Sequence, residues 1–139
     1  MTPADALTLA KREESHFFDR KALAVKPRKI EKIAVAFSNA DGGEFIIGIA
    51  DDKDQPDPNS RWQGAKDIED LNAHLQSLFN LDPPLDLRFE ILRCENYPRY
   101  CLLVRVEKSS KVCKTSEDVV YVRYGAQSLR SKITSGYSS

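Results

Sequence analysis

The segment from Ala36 to Asp52, AFSNADGGEFIIGIADD, constrains the fold more than any other part of the chain. Upstream of its two glycines, Ile30, Ile33, Ala34 and Phe37 recur at helical spacing and give one apolar face. Pro27 opens that helix, and Lys29, Glu31 and Lys32 fall off its apolar face. Glycine accepts the left-handed backbone that closes a helix, so Asp41-Gly42-Gly43 stops it. Residues 44–50 are an apolar run of the kind buried on both faces of a sheet, and the run ends in Asp51-Asp52.

The flanking segments complete an α+β pattern. Residues 3–12 read as a short helix with Thr2 as N-cap and Pro3 in the first turn. Residues 15–21 read as a strand with Phe17 and Phe18 on opposite faces. Residues 51–66, with Pro56, Pro58, Asn59 and Gly64, read as a loop that carries Trp62, either a base-stacking platform or a lid over the core. Asp67 caps a third helix bearing Ile68, Leu71, Leu75, Leu78 and Phe79, and Pro83-Pro84 ends it. Strands are expected near 86–93, 100–107 and 119–124, with a turn at Asn96-Tyr97-Pro98-Arg99. The order α-β-α-β-α-β-β-β predicts one α+β domain over 1–139, a mixed sheet with helices mainly on one side, and a frayed, flexible tail at 131–139.

Composition narrows the function. Apolar residues are 41% and charged residues 30% of the 139, which is ordinary for a soluble globular domain. No apolar run is long enough to span a bilayer, and the N-terminus lacks an apolar signal core, so a cytoplasmic protein without membrane partners is expected. Cys94, Cys101 and Cys113 have no C-x-x-C spacing and are expected as free thiols; with His16 and His74 far apart, a zinc site built from Cys and His is not expected. Net charge is zero, which argues against a dedicated duplex-DNA binder. The charge is nonetheless polarised. Arg20, Lys21, Lys26, Arg28, Lys29 and Lys32 face a single acid, Glu31, whereas acids gather at Asp51–Asp57 and Asp67–Asp70.

Glu14, Asp19 and Asp51 are the acids with most chemical interest. Converging carboxylates can hold Mg²⁺ or Mn²⁺, which prefer hard oxygen ligands. Spacing alone leaves them as solvated acids at strand ends; Glu14 and Asp19 meet only if Glu14 precedes the strand or the chain bends. Lys26, Arg28, Lys29 and Lys32 are either a track for a phosphate backbone or the wet face of a helix. Arg123, between Tyr121 and Tyr124, is either a nucleic-acid contact or part of an ordinary strand. Asp41-Gly42-Gly43 is no phosphate loop, since it lacks G-K-[ST] and runs helix to strand, so ATP is not expected.

Three blocks together resemble the Schlafen-type AlbA domain family. Its signature is similar to E-S-x-x-x-E-F-K, then A-F-x-N-x-x-G-G-x-x-x-I-G-V-D-D, then Y-x-R-x-G-x-x-S. This chain gives Glu14-Ser15-His16-Phe17-Phe18-Asp19-Arg20-Lys21, with Asp for the second Glu and Arg for Phe. The second block is nearly intact, with Ile49-Ala50 for V-D, and Tyr121-Val122-Arg123-Tyr124-Gly125-Ala126-Gln127-Ser128 completes the third. The blocks keep family order over about residues 14–130.

The resemblance implies an AlbA-like fold and nucleic-acid binding, with RNA favoured. Some members are endoribonucleases that cut structured RNA such as tRNA. By position their acids fall on Glu14, Asp19 and Asp51, with Asp52 a one-residue alternative, as ligands of Mg²⁺ or Mn²⁺. Lys21 then stands beside the metal to neutralise a phosphate oxygen. Asp19 is one methylene shorter than the family Glu. Other members are non-catalytic DNA-binding or regulatory modules, which is the alternative reading. In the Schlafen proteins two such lobes clasp the RNA, so one lobe here implies a homodimer or pairing with another Schlafen-like lobe.

Overall fold

A computed structural model describes residues 1–131. The elements are α1 (Pro3–Lys11), β1 (Phe18–Lys21), α2 (Pro27–Asn39), β2 (Gly43–Ile47), α3 (Asn72–Phe79), β3 (Leu87–Cys94), β4 (Tyr97–Val106), β5 (Tyr121–Tyr124) and β6 (Gln127–Arg130). β1, β2, β4 and β3 lie in that order in one mixed sheet, with β1 parallel to β2 and the other pairs antiparallel. The expected α+β architecture is therefore present.

Alternation along β2 and β4 decides what lies on each face. Phe45 and Ile47 of β2, with Leu102, Val104 and Val106 of β4, pack against Ile30, Ile33, Ala34 and Phe37 of α2 and Leu78 of α3. Ile46, Cys101 and Leu103 face the other way, onto Phe18, Ala10 of α1 and Trp62. Two helices thus share one face and α1 takes the other. Gly42 makes the helix-to-strand turn possible. Its φ is +77°, its N–H closes α2 onto Phe37 O at 2.9 Å, and a Cβ there would sit 2.9 Å from Val106 O.

Four local readings are corrected. The strand expected from residue 15 begins at Phe18, because Ser15 Oγ accepts Phe17 N–H and Ser15 pairs back onto Phe18 in a tight turn. Phe17 is left exposed and Phe18 is buried. The third helix opens as a 3-10 turn over Ile68–Leu71. The last expected strand does not join the mixed sheet: β5 forms a separate hairpin with β6, docked on α2. Glu31, read as off the apolar face, is buried, with Oε2 accepting Ser77 Oγ–H and Oε1 accepting Ser116 N–H at 2.8 Å. Burial alone would raise its carboxyl, but these bonds outweigh it and hold it below the usual range. The expected tail lies outside the described residues beyond Ser131.

All three cysteines are free and buried. Among the described residues no helix is long and apolar enough to cross a membrane. The start of α1 carries a complete capping box. Asp5 N–H donates to Thr2 Oγ1 at 3.2 Å, and Thr2 N–H donates to Asp5 Oδ2 at 3.0 Å. Thr2→Ala is expected to cost about 1 kcal/mol in urea denaturation; an unchanged midpoint would show that α1 does not depend on its cap.

Candidate functional site

A cleft of about 440 Å³ is lined by Glu14, Asp19, Lys21, Lys29, Lys32 and Asp51, with Asp52, Lys53 and Arg123 also on its walls. The Ser15–Phe18 turn is what brings Glu14 back beside Asp19. The bend that sequence spacing required is therefore present. The two carboxyls share a hydrogen bond. Burial first, and Asp19 second, push the Glu14 carboxyl up to about 7. Asp19 goes the other way. Burial would raise it, but the Glu14 hydrogen bond, Lys21 and Arg123 hold it below the usual carboxylate range. The pair at neutral pH is thus one ionised Asp19 beside a Glu14 that retains much of its proton.

The charges around the pair are unequally matched. Asp19 has Arg123 Nη1 at 2.8 Å and Lys21 Nζ at 3.4 Å. Asp52 has Arg20 Nη2 at 2.9 Å and Arg61 Nη1 at 3.6 Å. Asp51 Oδ1 accepts Asp54 N–H at 2.9 Å, which folds it into its own loop. Among the described residues no three His, Cys, Asp or Glu side chains are gathered to hold a metal ion. Two of the three expected acids meet; Asp51 lines the same cleft without joining them. The oxygens of Glu14 and Asp19 are hard donors of the kind that a divalent cation prefers.

The basic residues separate by role. Lys29 and Lys32 line the cleft, and Lys32 Nζ also lies 5.0 Å from the centroid of the Tyr121 ring. Lys29 and Lys53 have no carboxylate partner among the described residues. Arg28 pairs with Glu117 at 3.0 Å, and Lys26 is the exposed residue preceding α2. By sequence Arg123 is either a nucleic-acid contact or part of an ordinary strand, and it is not exposed to make the contact. Instead it is buried, with its guanidinium donating to Asp19, Ser128 Oγ and the carbonyls of Ser15 and Phe18. It positions Asp19 rather than offering a free charge. His16 helps hold the same hairpin: Nδ1 accepts Gly125 N–H at 3.1 Å, and Nε2 lies 2.6 Å from Asp41 Oδ2.

Sequence reasoning missed two buried arginines. Arg20 and Arg61 both donate to Ala10 O at the end of α1, and both reach Asp52. Arg61 also ties down Gln55 O and Pro56 O. Together they clamp the acidic loop against the cleft. The only signal was Arg20 itself, standing where the resembled signature has Phe.

The fold and this mixed-charge cleft define a small α+β domain with acids and lysines on one concave surface. Residues 14–132 match the family model described as Schlafen, AlbA_2, and the chain belongs to that family. Membership points to a nucleic-acid-binding domain. No curated protein matches the chain. Among solved structures, the DIP2311 protein of Corynebacterium diphtheriae is similar, with a TM-score of 0.58 and 17% identity over 92% of this chain. The chain spans 25% of that protein's length, and the likeness is one of fold.

Proposed function

We propose that the domain binds RNA through this cleft, with Lys29, Lys32 and Lys53 holding the phosphate backbone. The observation that carries the reading is the uneven matching of charge. Asp19 and Asp52 already have cationic partners, whereas these lysines face the cleft without carboxylates, so the cleft has cations to offer an anionic strand. Phosphate contacts release counterions, so affinity for single-stranded RNA is expected to fall steeply with salt. Lys29→Glu should flatten the slope of log K against log salt by about 0.7, the contribution of one phosphate contact on a single strand. Fluorescence anisotropy with matched RNA, single-stranded DNA and duplex DNA tests this. Salt-independent binding, or stronger binding to duplex DNA than to RNA, sinks the reading.

A second reading, metal-dependent endoribonuclease, is favoured by one observation: Glu14 and Asp19 stand together on the wall of the cleft, where burial raises the Glu14 carboxyl. Glu14 and Asp19 would hold Mg²⁺ or Mn²⁺, and such an ion can activate water and offset charge on a phosphate. Lys21 stands next to Asp19, where it can neutralise a phosphate oxygen. Binding of the ion to the folded state alone must raise the melting temperature. Mn²⁺ is expected to do so for the native chain above pH 7 and not for Glu14→Gln. Equal shifts in both proteins would remove the metal from Glu14, and cleavage of structured RNA that persists in chelator would remove it from the reaction.

A further inference from the structure

We propose that a second cleft, between the loop ending at Gly64 and the β3–β4 turn, is a pocket for an unpaired nucleobase. The cleft is about 590 Å³, larger than the acidic one. Its wall is an aromatic corner: the Trp62 and Tyr97 rings lie 5.9 Å apart at 56°. Trp62 Nε1 donates to Arg99 O at 3.1 Å. The indole's polar edge is therefore occupied, and the ring offers the cleft only apolar surface.

The polar groups beside this corner are the kind that read a base. Gln63 lines the cleft, and its side-chain amide has no hydrogen-bond partner among the described residues. An amide both donates and accepts, and it can match the edge of any base. Arg99 also lines the cleft, and its guanidinium has no ion-pair partner among the described residues. It supplies a cation for the nucleotide's phosphate or a plane for stacking. No acid lines the cleft. That absence argues against a cationic ligand, since an aromatic cage for a cation is helped by nearby carboxylates. It favours an anionic one.

The cleft is built in advance. Gly64 has φ +56°, and a Cβ there would lie 2.8 Å from Arg99 Cβ and from Tyr100 O, so only glycine lets the loop press this closely on β4. Ala65 N–H donates to Tyr100 O, Tyr100 N–H donates back to Ala65 O, and the amides of Gln63 and Gly64 both donate to Gly48 O. A fixed pocket loses little entropy when it binds a flat, rigid ligand. It also adjoins the acidic cleft. Leu23 is on its wall and Lys21 is on the other's, two residues apart and so within about 7 Å along the backbone. A strand lying past Lys21 can turn one base into the aromatic corner.

The chain has a single tryptophan, Trp62, so its emission reports on this cleft directly. Titration with each of the four ribonucleoside monophosphates, excited at the red edge of tryptophan absorption, is expected to quench it saturably. Arg99→Ala and Gln63→Ala leave the aromatic corner and Arg99 O in place, and each should weaken the apparent affinity roughly tenfold. Emission unmoved by every nucleotide at millimolar concentration overturns the proposal. So does quenching that neither substitution weakens, or a response to a proline-rich peptide where nucleotides give none. The readout is independent of the lysine-lined cleft. Quenching by mononucleotides without RNA binding in anisotropy would sink the RNA reading and leave this one standing. RNA binding with silent Trp62 would do the reverse.

Discussion

Replacing Arg123 with methionine will lower the stability of this domain by about 3–5 kcal/mol, the range found when one partner of a buried ion pair is removed. Arg123 is 2% exposed and Asp19 is 3% exposed. Its Nη1 lies 2.8 Å from Asp19 Oδ2, its Nη2 donates to Ser15 O at 2.8 Å and Phe18 O at 3.0 Å, and its guanidinium carbon sits 4.9 Å from the Phe37 ring centroid. Methionine fills similar space without charge. Asp19 would then keep only Lys21, at 3.4 Å, as a cationic partner, and two carbonyls would lose donors. Arg123→Lys retains the charge but not the fork, so its loss should fall between the native chain and Arg123→Met. Urea denaturation reads both. The midpoint should fall with the slope unchanged, as for a loss of native stability. A loss below about 1 kcal/mol would mean that Asp19 is served by solvent and that Arg123 does not organise the cleft.

That arginine also marks where the sequence stops being informative. Helical spacing at Ile30, Ile33, Ala34 and Phe37, and the glycines after it, defined α2 and β2, because periodicity and turn chemistry are local properties. Apart from Ser128, the hydrogen-bond partners of Arg123 lie more than a hundred residues away along the chain, at separations of 104 to Asp19 and 108 to Ser15. Nothing local distinguishes a buried arginine from an exposed one. The same holds for Asn39, visible only as a motif residue. Its amide donates to Cys113 O and Tyr121 O, and its oxygen accepts Cys113 N–H. It thereby fixes the chain leading into β5 against the end of α2.

The site was partly legible for a related reason. Motif position assigned Glu14 and Asp19 to one place, and the Ser15–Phe18 turn explains how residues five apart meet despite strand alternation. Motif position also drew Asp51 into the set, but its hydrogen bond to Asp54 N–H and the clamp of Arg20 and Arg61 on Asp52 are products of loop geometry. Loop geometry has no periodicity to read. Lys53 was overlooked because it sits in an acidic stretch, where composition masks a single cation that the fold turns into the cleft.

Glu14→Gln is expected to stabilise the domain above pH 7 and to leave it unchanged below about pH 4.5. The Glu14 carboxyl has an ordinary value of 4.5 and is raised to about 7 in the fold, by burial first and by Asp19 second. Between those values the folded chain holds a proton that the unfolded chain has released. Its contribution to stability is therefore complete below 4.5 and lost as pH rises through about 7. Glutamine replaces the O–H donor that the protonated acid presents to Asp19 with an amide N–H and never ionises, so it avoids that loss. A shift of this size would be worth about 3 kcal/mol in a fully buried site; Glu14 is only partly buried, and solvent screening brings the expected gain to about 1–2 kcal/mol. Other groups move with pH as well, Asp19 and His74 among them. Asp19 is held low, so its contribution is present above its ordinary 3.8 and fades only in stronger acid. His74 is lowered by burial, so it destabilises the fold as pH falls through its ordinary 6.5. His74 acts in the native chain and the variant alike and cancels in the difference; Asp19 is held low partly by Glu14, but the glutamine amide keeps a donor beside it and both test pH values lie above its ordinary 3.8. Urea denaturation of the two proteins at pH 4.5 and pH 8 therefore isolates Glu14. Identical stabilities at the higher pH, or a less stable variant there, would show that Glu14 is ionised at neutral pH without penalty, and the shared proton would then be no part of the site.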